Sequence, residues 1–260
     1  MLGGMQTRTS LVDWQSFQLA TTEYIPDTVT REALIMHGAG TANQTHVKNL
    51  AVALVDLGCR VVTFDFISHG LSTGSVAGLT LANRAEQARA IYDYFNFGSN
   101  SMLIGFSMSG QTAIDVMAQL GEQIACVVLF APAIYDKAAR SAHFGPGFST
   151  VIRREESWRD SDAWDKLREF QGKLITFESP NDTIIPTGVI DLIHSSAMHT
   201  DTNLRIRVNN APHTMGVWMN QDMERARWFA NVIIRVLGGY LNPDFTQART
   251  AGVDFEVIQA

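Results

Sequence analysis

The sequence has little cysteine and no long hydrophobic run. Only two of its 260 residues are cysteines, Cys59 and Cys126, and each lies in or beside an apolar segment. We therefore expect no disulfide framework and a reducing compartment, the cytoplasm. No apolar stretch reaches the ~20 residues that cross a bilayer, and no basic segment followed by an apolar one begins the chain. Neither a membrane span nor a secretion signal is expected.

Charge is also scarce, because Asp, Glu, Lys and Arg make up 18% of the residues. The 20 basic and 26 acidic residues give a net charge of −6, and no basic cluster could neutralise a run of phosphates. A nucleic-acid partner is therefore not expected. With 46% apolar residues and no Pro/Ser-rich linker, residues 1–260 are expected to form one globular domain.

Strand-like and helix-like segments alternate along the chain. The strand-like runs are apolar on both faces, as buried parallel strands are, and span residues 33–36, 60–64, 101–104, 125–130, 173–177 and 204–208. Segments of helical periodicity lie between them, and several end at a glycine. This alternation predicts an α/β fold with a doubly wound, mostly parallel sheet and functional loops at the carboxyl ends of the strands.

Three regions depart from the alternation. Residues 5–25 alternate weakly between apolar and polar side chains and predict an antiparallel edge hairpin. Residues 133–170 separate two strands by more than one helix requires and predict a short helical lid. The tail after Leu241 has no clear structural signal.

A serine lies between a strand and a helix in the segment Gly105-Phe-Ser107-Met-Ser109. Small residues two positions before and after Ser107 allow the tight strand-to-helix turn that exposes a nucleophile. As a helix N-cap, Ser107 would have a purely structural role, but its place directly after a strand favours the nucleophile. Ser109 is a rival nucleophile, although Gln111 two positions later is bulky for the same turn.

A glycine-rich turn, His37-Gly-Ala39-Gly, follows the strand at 33–36. Such a turn can aim the backbone N–H of Ala39 at the point where the N–H of Met108 converges, and two donors of this kind form an oxyanion hole for acyl transfer. An ordinary strand-to-helix turn would look the same when this motif is taken alone.

The next strand is followed by Asp65-Phe-Ile-Ser-His69-Gly70-Leu-Ser72, in which we expect Asp65, His69 and Gly70 to organise a loop. In this order the three motifs resemble the α/β-hydrolase superfamily, particularly its monoacylglycerol-lipase-like and related esterase branches. Those proteins carry a His-Gly-Ala-Gly-like turn, an Asp-x-x-x-His-Gly-x-Ser loop and a Gly-x-Ser-Met-Gly-Gly-like elbow. The resemblance extends from about Ala33 to Leu237 and implies the α/β-hydrolase fold.

The resemblance also implies the chain order nucleophile, acid, histidine. The segment from Glu178 to Pro186 is similar to the family's Gly-x-x-Asp-x-x-x-Pro loop, which makes Asp182 the expected acid, with Glu178 and Asp136 as weaker alternatives. His213 follows the last parallel strand and is the expected base.

The chain departs from the family pattern at three positions, where Ser109, Ser179 and Asn210 replace a usual glycine. Serine is small and asparagine tolerates positive φ, so each replacement is compatible with the expected turns.

These inferences predict a serine hydrolase that cleaves a carboxylic ester of small to medium acyl chain, without cofactor or metal. A thioesterase or acyltransferase with the same triad, and a non-catalytic binding protein on this fold, are the alternatives. Phe144, Phe148, Trp158 and Trp164 are expected to line the acyl pocket, although the two tryptophans could instead anchor the lid helix.

Overall fold

The computed structural model describes residues 4–241 and 245–258. Its strands are β1 (Gln6–Trp14), β2 (Phe17–Ile25), β3 (Arg31–Met36), β4 (Cys59–Phe64), β5 (Ser101–Phe106), β6 (Ile124–Phe130), β7 (Lys173–Glu178), β8 (Thr202–Val208) and β9 (Phe255–Ile258). Its α-helices are α1 (Lys48–Val55), α2 (Leu81–Tyr94), α3 (Ser109–Leu120), α4 (Pro146–Ile152), α5 (Ala163–Glu169), α6 (Thr187–Ser196), α7 (Met215–Asn220), α8 (Met223–Leu237) and α9 (Phe245–Thr250).

The strands form one sheet in the order β1-β2-β4-β3-β5-β6-β7-β8-β9. Strands β3 to β8 run parallel to one another, whereas β1, β2 and β9 are antiparallel additions at the two edges. The predicted doubly wound, mostly parallel sheet is confirmed, and each predicted parallel strand lies within two residues of its expected bounds. The predicted edge hairpin is β1 and β2. Helix α9 and strand β9 follow Leu241, where no element was predicted.

Both faces of the sheet are covered by helices, which is why its central strands are apolar throughout. Ala33 and Ile35 of β3 belong to the core on the side of α1, α7 and α8. Leu34 and Met36 belong to the core on the side of α2, α3, α5 and α6. Alternate side chains of each central strand therefore enter opposite helical layers.

The strand order reverses at β3, which pairs with β4 on one side and with β5 on the other. The loops that leave the carboxyl ends of β3 and β5 therefore diverge to opposite faces and leave a crevice between them, where doubly wound sheets bind ligands. The glycine-rich turn follows β3 and the serine elbow follows β5.

The insertion at residues 133–170 is helical, as expected, but only part of it stands apart from the main layers. Helix α5 packs into the core beside α3 and α6. Helix α4 instead contributes Phe148 to a small cluster that also contains Leu81, at the start of α2, and Met108 beside the elbow packs against this cluster. In the part of the chain that the structure describes, no helix has the length and apolar character that crossing a bilayer requires.

Candidate active site

Ser107 occupies a strained turn between β5 and α3. Its φ of 50° lies in the left-handed region, which costs a non-glycine residue free energy and is frequent at functional sites. The turn is held by hydrogen bonds from the Ser107 N–H to the Phe130 carbonyl and from the N–H groups of Gly110 and Ala133 to the Ser107 carbonyl. Gly105 is required, because a Cβ there would lie 2.3 Å from the carbonyl oxygen of Ser109.

Ser107, His213 and Asp182 form a continuous hydrogen-bonded chain. The Ser107 Oγ lies 3.0 Å from His213 Nε2, and His213 Nδ1 lies 2.6 Å from Asp182 Oδ2. Asp182 is in the loop between β7 and α6, and His213 is in the loop between β8 and α7. Because a carboxylate only accepts, Nδ1–H is the donor to Asp182, and Nε2 can accept the serine proton. The three residues that the motifs predicted are thus brought together at one edge of the sheet.

The environment of Asp182 keeps its carboxyl group ionised. Burial raises the pKa of this group, but hydrogen bonds from His213 and from the backbone N–H groups of Ile185 and Ile184 outweigh it and hold the pKa below its usual value. The backbone donors lie 2.8 and 3.0 Å from Oδ1, which leaves Oδ2 for the histidine. A fixed carboxylate of this kind orients the imidazole and stabilises its protonated form.

The rival side chains have other partners. Ser109 is fully buried, and its hydroxyl donates to the carbonyl of His37. Glu178 accepts hydrogen bonds from Arg205 and Arg207, both on β8. Asp136 accepts from the Ala138 N–H and from the Arg154 guanidinium. These contacts give each rival a structural role away from His213.

The glycine-rich turn after β3 lies directly against the elbow. A Cβ at Gly38 would be 3.3 Å from the Ser107 Cβ, and Gly40 has a φ of 70° that favours glycine. Among the described residues, the backbone N–H groups of Ala39 and Met108 donate to no partner. Two unpaired donors beside Ser107 are the arrangement that an oxyanion hole requires.

The buried His37 side chain stabilises this turn through two hydrogen bonds. Its Nδ1–H donates to the Gly38 carbonyl at 2.7 Å, and its Nε2 accepts from the Phe66 N–H at 3.2 Å. Burial, followed by the charge of Arg84, places the pKa of His37 well below its usual value. The ring is therefore neutral with one tautomer selected by its two partners. His69 donates from Nδ1 to the Ile67 carbonyl, as expected for a loop organiser.

A cavity of about 420 Å³ opens beside Ser107. It is lined by the glycine-rich turn (37–42), the next turn (His46 and Val47), the elbow (106–108), the histidine loop (213–217), Tyr135 and Ile184. Within the described residues, none of the lining side chains is Lys, Arg, Asp or Glu. The cavity therefore suits a neutral, largely apolar group next to the serine.

The four aromatic residues expected in the pocket do not line this cavity. Phe144 and Phe148 pack edge to face with ring centroids 5.0 Å apart, and Phe148 contacts Tyr135, which does line the cavity. Trp158 lies against Gly188 of α6, and Trp164 Nε1–H donates to the Trp158 carbonyl. The tryptophans therefore anchor the insertion, as in the alternative interpretation, and the phenylalanines form a layer behind Tyr135.

Sequence reasoning missed most of the lining residues. Tyr135 follows β6, Ile184 follows Asp182, and Thr214 to Val217 follow His213. The available signal was their position just after the carboxyl end of a parallel strand, where doubly wound folds build their sites.

Strand order, elbow and strand-end loops together define an α/β-hydrolase fold. Residues 33–244 match the alpha/beta hydrolase family, and because this match covers most of the chain, the protein belongs to that family. The resemblance inferred from the motifs is confirmed at the level of the superfamily, without resolving the monoacylglycerol-lipase-like branch.

Individual proteins are more distant. A curated relative, Uncharacterized protein R595 of Acanthamoeba polyphaga mimivirus, is 25% identical over 218 residues, which are 75% of this chain and 71% of the viral protein. Est1E from Butyrivibrio proteoclasticus, solved with ferulic acid, is similar with a TM-score of 0.68 at 15% identity, covering 87% of this chain and 99% of Est1E. A thioesterase domain from the curacin biosynthetic pathway has a TM-score of 0.64 at 11% identity, with coverages of 88% and 99%. At these identities the solved structures show a shared fold.

Proposed function

We propose that the protein is a serine hydrolase that cleaves a carboxylic ester. The observation that carries this proposal is the hydrogen-bonded chain from Ser107 through His213 to Asp182 at the edge of an uncharged cavity. Membership of the alpha/beta hydrolase family supports the same class of reaction.

The proposed reaction uses each of these groups. Ser107 Oγ attacks the acyl carbon while His213 Nε2 takes its proton, and Asp182 stabilises the resulting imidazolium. The N–H groups of Ala39 and Met108 bind the oxyanion of the tetrahedral intermediate. His213 then protonates the leaving alcohol, and a water molecule activated by the same histidine releases the acid from Ser107.

Cavity size and charge favour a neutral acyl group of small to medium length. A volume of about 420 Å³ lies toward the lower end of the range for small-molecule sites, which is roughly 300–1,000 Å³. A thioester of a phosphorylated carrier, the substrate of a thioesterase or acyltransferase, would bring phosphates to the mouth. The described lining offers no lysine or arginine to receive them, so a simple ester is favoured.

The test combines covalent labelling with a substrate screen. Wild type should react with a fluorophosphonate probe and hydrolyse short and medium acyl esters faster than long ones, whereas Ser107→Ala should do neither and keep its thermal stability. Ser195→Ala is the matched control, because Ser195 is exposed on α6 away from the cavity.

Labelling that persists in Ser107→Ala, or moves to Ser109, would refute the assignment of the nucleophile. Turnover of thioesters but not esters would replace esterase by thioesterase. A wild type that neither labels nor hydrolyses any substrate would favour the non-catalytic alternative.

A further inference from the structure

Arg84, on helix α2, is a buried cation in contact with the glycine-rich turn that follows β3. It is 3% exposed, and its Nη2 donates to the His37 carbonyl at 3.2 Å, to the Gly38 carbonyl at 3.4 Å and to Ser109 Oγ at 3.0 Å. Its Cζ lies 3.6 Å from the centre of the Phe66 ring. Within the described residues, no carboxylate is among its hydrogen-bond partners.

This placement is costly for the folded protein. Buried charges are usually paired, and burial without a carboxylate lowers the pKa of Arg84 to about 9. Its Nε also lacks a hydrogen-bond partner. The Phe66 ring and the neighbouring carbonyl oxygens offset only part of the lost hydration. A buried charge without a carboxylate partner, next to a candidate active site, is a candidate for a functional role.

The planarity of the peptide bond connects Arg84 to catalysis. The Gly38 carbonyl and the Ala39 N–H belong to the same peptide unit, in which they point in opposite directions. Donors on the carbonyl oxygen therefore determine where the N–H points. Gly38 O receives two of them, His37 Nδ1–H and Arg84 Nη2–H. Because hydrogen bonds within a chain polarise one another, these donors also make the Ala39 N–H a stronger donor.

Ser109 links the same group to the elbow. Its hydroxyl accepts from Arg84 and donates to the His37 carbonyl, so the first residue of α3 is tied to the turn after β3. A glycine at position 109, as in the family pattern, has no hydroxyl to make either bond. The serine at this position is thus explained by the presence of Arg84.

We propose that Arg84 is a positioning residue that, together with Ser109, holds and polarises the Gly38–Ala39 peptide so that the Ala39 N–H stabilises the oxyanion. The proposal rests on the proposed hydrolase function. It assigns Arg84 an effect on the transition state, since the negative charge on the acyl oxygen develops only there.

The experiment compares Arg84→Met, Arg84→Lys and Ser109→Gly with Arg89→Met, a control on the exposed side of the same helix. The kcat and KM for the best ester are measured per fluorophosphonate-titrated site. The inhibition constant of a trifluoromethyl ketone, which forms a tetrahedral oxyanion on serine, and the Tm are measured on the same samples.

For Arg84→Met we expect kcat to fall roughly 10–100-fold, below the 10²–10³-fold loss typical of a deleted oxyanion donor, with KM changed less than about threefold. The inhibition constant of the ketone should rise by a similar factor to the fall in kcat/KM. The Tm should not fall, because methionine replaces an unpaired buried charge. Arg84→Lys and Ser109→Gly should each lose activity by an intermediate factor, whereas Arg89→Met should behave as wild type.

Unchanged kcat and ketone affinity in folded Arg84→Met would overturn the proposal while leaving the hydrolase function intact. A rise in KM with constant kcat would also overturn it, because it would show a role in ground-state binding. If Arg84→Met does not fold, the activities of Ser109→Gly and Arg84→Lys test the proposal instead. Full activity in both variants would refute the positioning role of Arg84. A wild type without activity would refute the hydrolase function and this role with it.

Discussion

Replacing Gly105 by alanine tests whether the strained elbow is the structural basis of the site. The added Cβ would lie 2.3 Å from the Ser109 carbonyl oxygen, 2.8 Å from the Ser109 carbonyl carbon and 3.2 Å from the Ala113 Cβ. The two nearest atoms belong to the backbone of α3 and cannot rotate away as a flexible side chain could. The first turn of α3 must therefore move relative to β5.

The size of that movement sets the expected effect. Ordinary contacts between carbon and other heavy atoms are about 3.5 Å, so the start of α3 must retreat by roughly 1 Å. Ser107 precedes this turn and its Oγ lies 3.0 Å from His213 Nε2. A displacement of about 1 Å in a catalytic group can cost roughly 10²-fold in rate. Overpacking of this kind also lowers the free energy of unfolding by about 1–3 kcal/mol.

The assay measures kcat for ester hydrolysis per fluorophosphonate-titrated site, together with unfolding in urea. Gly147→Ala is the matched control, because a Cβ there meets no atom within 4 Å and the residue lies in helix α4. It should leave kcat unchanged and stabilise the protein slightly, by at most about 1 kcal/mol. If Gly105→Ala keeps kcat within threefold of wild type and unfolds at the same urea concentration, the reasoning from the close approach of β5 and α3 is wrong.

Three further predictions concern other parts of the structure. Asp182→Asn should lower kcat about 10⁴-fold without lowering the Tm, because the amide cannot stabilise the imidazolium; steady-state kinetics and a thermal melt measure this. Burial, with the nearby charge of Arg205, lowers the pKa of His194 to about 4. Below about pH 6.5 the folded state therefore binds fewer protons than the unfolded state, and the free energy of unfolding should fall by up to about 2 kcal/mol between pH 7 and pH 5. Urea unfolding at both pH values should show a smaller fall for His194→Gln. Asp115, 1% exposed on α3, accepts from Lys166 Nζ at 2.6 Å, and Asp115→Asn should lower the free energy of unfolding by roughly 2–3 kcal/mol in urea titrations with kcat per folded enzyme unchanged.

Each of these has a contradicting outcome. Activity retained in Asp182→Asn but lost in Asp136→Asn would place the acid in another loop. Equal pH dependence in wild type and His194→Gln would show that other groups control acid stability. For the Asp115 pair, Asp165→Asn is the control, because Asp165 is 79% exposed and its ion pair should contribute less than about 1 kcal/mol. An equal effect of both substitutions would show that burial of the pair is unimportant.

The order of the elements could be predicted because their signals are local. Apolar runs without alternation identified the parallel strands from β3 to β8, and the residues between strand and helix identified the elbow at Ser107 and the turn at Ala39. Since parallel strands place their carboxyl ends at one edge, this order also indicated that the loops of Asp182 and His213 would lie near the serine. Strand β9 was not predicted, because a four-residue edge strand forms only when β8 is there to pair with it.

Contacts between distant segments were decided by the tertiary structure. Without the family resemblance, the residue patterns could not separate Asp182 from Glu178, since both lie at or just after the carboxyl end of β7. Only packing shows that Glu178 is occupied by Arg205 and Arg207. The same holds for the aromatic residues of the insertion, whose side chains pack against α6 and each other instead of lining the cavity. The role of Arg84 could not be predicted from the sequence, because a single arginine in a helix is usually exposed to solvent. Its burial depends on contact with Gly38, which lies 46 residues away in the sequence. Backbone preference and periodicity act over a few residues, whereas burial and hydrogen bonding depend on which segments the whole chain brings into contact.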